Sequence, residues 1–336
     1  MNRNRNRLLF NLQRFAAPNT QTTTTEDLSA EMKTFYNKTL LDEAEAELVH
    51  DQFADKYPIP KNGGKRIEFR KYDSFPKALT PLTEGVTPDG RNMKVTTLEA
   101  EIAQYGDYVT LSDVYSLTAI DNNVVQATKL CGSQSGRTLD TVTREVMNGG
   151  TNVLYAPKSD GTVITSRATL DSTCVLTKDL IMRAAAILKA ANTKKIDKSY
   201  VAIIHPYMEY ELMKEPEFID VVKYQAADRI FEGEIGKIGG VRFVTASEAK
   251  IFTGDGCPEG MAVFSTIVLG AHAYAVTEIE GKGLENIIKP FGAGEDPLNQ
   301  RGTVGWKALK TAERLAEQYM VRIESCGTFS ASAKAN

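Results

Sequence analysis

The apolar positions of this chain fall into three textures. Residues 28–50 carry Leu28, Met32 and Phe35, then Leu41, Ala44 and Leu48, at spacings of three and four, with the acidic run 42–47 on the other face. That period predicts an amphipathic helix, capped by Asp27 or Ser29 and stopped by Pro58 and Pro60. The period then falls to two. Ile67 and Phe69 alternate with Glu68 and Arg70, and Leu98, Ala100 and Ile102 alternate with Glu99 and Glu101. Such alternation predicts two strands. The segment joining them, 73–93, is much longer than an ordinary hairpin loop, and Pro76, Pro81, Gly85, Pro88 and Gly90 stiffen it. The third texture starts at a long helix over 121–148, with Leu139, Val142 and Val146 as its core stripe and Gly149-Gly150 at its end. From 165 helix and strand patterns alternate: an amphipathic helix over 176–191, a buried strand over 199–205, and strands over 241–246 and 261–271. Residues 309–325 fit either a helix followed by a strand or one long bent strand.

The two strands of the arm differ in charge. The outgoing one holds Lys65, Arg66, Arg70 and Lys71; the returning one holds Glu99 and Glu101. Opposite charges across the pair are expected to help hold the register, each exposed pair contributing under about 1 kcal/mol. A two-stranded ribbon is only marginally stable in water. It needs a surface to lie on, from its own chain or from a neighbouring subunit.

The 336 residues are 42% hydrophobic and 25% charged, enough for two domains or one extended body. The net charge of -3 gives no global case for gripping nucleic acid. Cys131, Cys174, Cys257 and Cys326 are too dispersed for a disulfide framework or a zinc site, and the histidines at 50, 205 and 272 do not cluster. Residues 1–27 read as a polar tail with arginines at 3, 5, 7 and 14, and their apolar run is too short for a secretory signal. The run over 261–276 is too short for a membrane span.

Motifs for chemistry are weak. In GEIGKIGG (233–240), Gly236-Lys237 is followed by Ile238, where a phosphate loop needs Ser or Thr, and the stretch leads into a strand, where a dinucleotide fingerprint leads into a helix. CGSQSG (131–136) has Gln134 where a nucleophile elbow has serine. His205 before Pro206 reads as a strand-end residue. No catalytic, cofactor or metal residues are assigned.

The order of parts, together with PLTEGVTPDGRNMKVTTLEAEIAQYGDYVTLSD (81–113), FEGEIGKIGGVRFVTAS (231–247), TVGWKAL (303–309) and NLQRFA (11–16), resembles the major capsid protein of tailed double-stranded DNA bacteriophages. The four arginines depart from that family's usual start. The resemblance implies an α+β tailed-phage capsid fold with an N-terminal arm, an extended β-hairpin loop, a peripheral domain with a long spine helix, and an axial α/β domain. On that pattern 1–27 is a flexible tail, 28–58 the N-arm helix, and 59–110 the extended loop. Residues 111–164 are the peripheral domain with its spine helix over about 121–148, and 165–285 the axial domain. Residues 286–336 are the return strands of the peripheral domain and the C-terminal tail. The implied function is a non-enzymatic subunit that self-assembles into pentamers and hexamers of an icosahedral head enclosing double-stranded DNA. Implied partners are copies of itself, scaffold, portal and decoration proteins, and packaged DNA through non-specific lumenal contact; no membrane and no cofactor are implied. The implied place is the virion, assembled in the host cytoplasm. By position in the arm, Arg66, Arg70, Lys77, Glu84, Arg91, Glu99 and Glu101 are the expected intersubunit contacts. Two alternatives remain: a nanocompartment shell of the same fold, or an α/β enzyme with an anion site at 233–240.

Overall fold

The computed structural model describes Leu40 and residues 48–336, except 61, 63, 73–74, 83, 86, 88, 120–121, 216–236, 255, 279–282 and 294–295. The tail, most of the N-arm helix and the first half of the glycine-rich stretch lie outside the described residues. The helix expected to reach residue 50 has ended by Leu48, and His50–Phe53 form a turn. Buried bonds from this turn to the long helix, described below, hold it there.

After the short strand β1 (Asp55–Lys56) come the two strands of the arm, β2 (Arg66–Tyr72) and β3 (Val95–Glu101). They pair antiparallel with Ile67 opposite Ala100 and Phe69 opposite Leu98, so the apolar alternation sets the register. Only Ile102 separates β3 from β4 (Ala103–Ser112), which leads into the six-residue helix α1 (Asp113–Thr118). The long helix α2 (Asn123–Asn148) is capped by Asn122, whose side chain accepts from Val125 N–H, and it ends at Gly149. Asp121, where the sequence pattern starts the helix, lies outside the described residues. The remaining elements in chain order are β5 (Val153–Tyr155), α3 (Lys178–Ala190), β6 (Tyr200–Ile204), α4 (Pro206–Lys214), β7 (Lys237–Ile238), β8 (Val241–Thr245), β9 (Ile251–Phe252), β10 (Val263–Leu269), β11 (Tyr274–Glu278), β12 (Leu284–Lys289), β13 (Arg301–Arg314) and β14 (Met320–Ser325).

Two larger sheets result. Five strands run in the order β1-β11-β13-β12, with β4 also paired to β13 over ten residues. Helix α2 covers one face of this sheet, where Ala127, Cys131 and Leu139 meet Val304, Trp306 and Ala308. Seven strands form the other sheet, β5-β14-β10-β6-β8-β7 with β9 beside β10. There β6 is buried on both faces. Tyr200, Ala202 and Ile204 join the core under α3 and α4, while Val201 and Ile203 join the core that holds Met147 and Tyr274. Burial on both faces accounts for its unbroken apolar run.

Sheet membership does not divide at 285. Strands β11 and β12 pair with β13, whereas β14 returns to the seven-stranded sheet beside β10. Neither reading of 309–325 holds. β13 ends at Arg314, a short 3-10 turn follows over Glu317–Tyr319, and β14 starts at Met320 in the other sheet. The change of sheet is fixed by Leu315 and Ala316, whose N–H groups both donate to the Ala273 carbonyl.

Candidate functional site

Among the described residues, the buried contacts of the arm lie at its base. Ala100 and Ile102 are buried, the Ile102 N–H donates to Lys65 O at 2.9 Å, and Phe69 meets Tyr57 edge-on with ring centroids 5.4 Å apart. Beyond that point it offers its side chains to solvent. Tyr72, Phe75 and Met93 are exposed, and Leu79 and Leu82 keep 82% and 77% of their surface open. Exposure of this degree over a contiguous segment is the mark of a surface that another chain covers. Gly85 turns the joining segment at φ +78°, a conformation that strains any residue with a Cβ.

The charged residues of the arm are arranged differently from the expected ladder. Arg66 lies opposite Glu101 and reaches both Glu101 (3.5 Å) and Glu99 (3.8 Å). Glu68, however, stands directly opposite Glu99, a like-charge pair, and Arg70 turns to Glu68 on its own strand at 3.2 Å. Each of these exposed pairs contributes well under about 1 kcal/mol, so the apolar face carries the register. Lys77, Glu84 and Arg91 lie exposed in the joining segment. Charge alone therefore left out the larger signal, the apolar side chains at 75, 79, 82 and 93. Their spacing in FPKALTPL was legible as apolar residues in a stretch otherwise rich in turn residues.

A buried polar hub holds the turn at His50–Phe53 against the body. Asp140 of α2 accepts from the His50 N–H at 2.7 Å and sits 2.6 Å from His50 Nδ1, with both side chains essentially inaccessible. Thr143 donates to Asp51 at 2.6 Å, Lys310 of β13 pairs with the same carboxylate and donates to Leu139 O at 3.0 Å, and the Tyr274 hydroxyl donates to the His50 carbonyl. In its C-terminal half, α2 thus buries Leu139, Asp140, Thr143, Arg144, Met147 and Asn148. Of the expected apolar stripe, Leu139 is fully buried and half-buried Val146 packs against the core, while Val142 is half-buried without a place in a core cluster.

The remaining motifs have structural roles. The described part of the glycine-rich stretch is the tight turn Gly239-Gly240, both at positive φ, between β7 and β8. CGSQSG lies within α2, and Gln134 bridges Trp306 Nε1 (3.3 Å) and Asp107 (2.6 Å). His205 caps α4, its Nδ1 accepting from Tyr207 N–H at 3.1 Å. Burial pushes its pKa down to about 4. Between that value and the ordinary imidazole value near 6.5, the unfolded chain takes up a proton that the folded chain does not. Stability therefore rises with pH across that window and is complete above it. Thermal melts at about pH 4.5 and pH 7 should show a larger gain for the unsubstituted protein than for His205→Asn, which keeps a capping acceptor; equal gains would contradict this role. Among the described residues, no group of three or more His, Cys, Asp or Glu is placed to hold a metal. Nor is any helix there long and apolar enough to cross a membrane.

The described residues thus form a two-sheet body with a long covering helix and an exposed two-stranded arm. The model of the phage capsid protein family matches residues 95–313, and the chain belongs to that family. Solved structures share the fold at low identity. The capsid of Ralstonia phage GP4 is 15% identical, with 96% of this chain and 98% of that chain covered and a TM-score of 0.64. The capsid of cyanophage P-SCSP1u is 15% identical over 84% and 89%, with a TM-score of 0.62. A virus-like particle from Pyrococcus furiosus is 12% identical over 87% and 99%, with a TM-score of 0.50. No curated protein matches the chain in sequence. The protein is a structural subunit of a phage capsid, a virion component, and the enzyme alternative finds no support.

Proposed function

We propose that the chain forms pentamers and hexamers of an icosahedral head around double-stranded DNA, assembling in the host cytoplasm, and that its arm binds the neighbouring subunit. The observation that carries this reading is the arm itself. Among the described residues its buried contacts lie at its base, and it exposes Leu79 and Leu82 almost fully. A marginal ribbon becomes stable once a neighbour covers its apolar side, and symmetry repeats that contact around the shell. Residues 59–110 then act as the extended loop, α2 as the spine of a peripheral domain, and the seven-stranded sheet with α3 and α4 as the axial domain. The arm charges Arg66, Arg70, Lys77, Glu84, Arg91, Glu99 and Glu101 form the polar rim of the contact. Scaffold, portal and decoration proteins are the further partners, with DNA touched non-specifically from the lumen. The likeness to the Pyrococcus virus-like particle supports a closed shell over tubes.

Size-exclusion chromatography with light scattering, beside negative-stain electron microscopy of the purified protein, tests this. Closed particles tens of nanometres across, or capsomer-sized rings in the absence of scaffold, are expected. A homogeneous monomer or dimer under every salt condition would overturn the reading.

A further inference from the structure

The net charge of -3 hides a concentrated basic surface. Residues 189–198, KAANTKKIDK, span the end of α3 and the loop into β6, and they hold four lysines against one aspartate. Lys189, Lys194, Lys195 and Lys198 are all exposed, and among the described residues none of them has a carboxylate partner. The single acid, Asp197, is met by Arg242 of β8 at 3.5 Å, so its charge is already neutralised. Resting on the reading above that the chain encloses DNA, we infer that this loop is a contact surface for the phosphates of double-stranded DNA.

The loop is held in place by its own backbone. Asn192 and Asp197 take left-handed conformations at φ +54° and +55°, which these two residue types tolerate. Ile196 and Ser199 exchange both backbone hydrogen bonds, at 3.1 and 3.2 Å, and so set Asp197 and Lys198 at the tip of a tight turn. The Thr193 carbonyl accepts from the Tyr200 hydroxyl at 3.1 Å, and the Lys194 carbonyl accepts from the Ala271 N–H at 2.9 Å. The lysine stems therefore leave an ordered backbone, and less freedom is lost when they meet a ligand. What surrounds them selects that ligand. Among the described residues, no large apolar side chain is exposed between Met182 and Tyr207. A protein partner needs an apolar or aromatic centre with charge at its rim, and this surface has no such centre. A duplex presents a dense line of phosphates and asks only for cations at short spacing. Lysine, a point charge on a flexible stem, can follow that line whatever the base sequence. The arm is less suited, because Arg66 and Arg70 are already met by Glu99, Glu101 and Glu68. A contact of this kind is weak and salt-sensitive, in keeping with the small net charge of the chain.

The test is fluorescence anisotropy of a labelled duplex of about 30 base pairs, titrated with the full chain across a salt series. Replacing Lys189, Lys194, Lys195 and Lys198 together with Gln is expected to weaken binding by about tenfold or more at low salt. It should also flatten the slope of log affinity against log salt by roughly 3, since each lost phosphate contact removes about 0.9. Lys194→Gln with Lys195→Gln alone should give about half that slope change, which keeps the test readable if the fourfold variant misfolds. Four exposed lysines scattered elsewhere, Lys56, Lys129, Lys289 and Lys334, form the control. Their replacement with Gln should change affinity by less than about threefold. Equal weakening by both sets, or unchanged binding by the loop variants, would overturn the assignment. Binding that is lost only when the arginines at 3, 5, 7 and 14 are replaced would overturn it in favour of the tail. A decaglutamate peptide that binds more tightly than the duplex, and is lost in the loop variant, would overturn it in favour of an acidic protein partner. Failure of the unsubstituted protein to bind the duplex at low salt would count against the DNA reading itself, and the loop would fall with it.

Discussion

Deleting residues 74–92 is expected to abolish shells while leaving the subunit folded. The cut leaves Asp73, Met93 and Lys94 to join β2 to β3, a connection of ordinary hairpin length. What is lost is exposed: Phe75, Leu79 and Leu82 make no part of any core. The melting temperature of the unassembled subunit should therefore move by only a degree or two. Assembly should fall by at least tenfold in particle count by negative-stain microscopy, because the segment proposed to bind the neighbour is gone. Shells of normal number, size and stability from this variant would show that the arm does not make the contact assigned to it.

The largest effect on the subunit itself is expected from Asp140→Ala. Its carboxylate is fully buried and meets both the backbone N–H and the ring of His50. Removing it leaves a buried donor and a buried imidazole without a partner, and breaking one side of such a pair costs about 3–5 kcal/mol. At roughly 1.4 °C per kcal/mol for a chain of this size, the melting temperature should fall by about 4–7 °C. Asp140→Asn keeps an acceptor for the N–H and should cost roughly 1–2 kcal/mol. The hub joins the turn at residue 50 to α2, β11 and β13. Calorimetry showing Asp140→Ala within 2 °C of the unsubstituted protein would mean that the hub does not hold this turn.

How much of this was legible in the sequence follows from the range of each interaction. The arm was legible because a period of two is a local signal: Ile67, Phe69, Leu98 and Ala100 each take the face their alternation assigns. The buried strand β6 and the helices at 123–148 and 178–190 were legible for the same reason. Sheet membership was not. β11 and β12 were not assigned as strands and β14 lay in a stretch left open, and the choice of sheet depends on partners tens to hundreds of residues away. The hub was missed because Asp140, Thr143 and Arg144 are polar and carry no part of the apolar stripe read for this helix. Their partners lie far away in sequence, at His50, Asp51 and Glu248. The charge ladder was half right: composition showed basic against acidic strands, but only the register reveals that Glu68 faces Glu99. The charged residues were favoured as contacts because charge is conspicuous, while the exposed leucines of the tip carry more of the area a neighbour would cover.

The central claim is that the arm gains its stability from a neighbouring copy. Hydrogen–deuterium exchange over residues 64–102, compared between assembled particles and the dissociated subunit, tests it most directly. The account predicts that amides of β2, β3 and the joining segment exchange rapidly in the free subunit and slow by at least tenfold in the particle, while the core strand β6 is protected in both. Equal exchange of the arm in the two states, with particles demonstrably present, would contradict it.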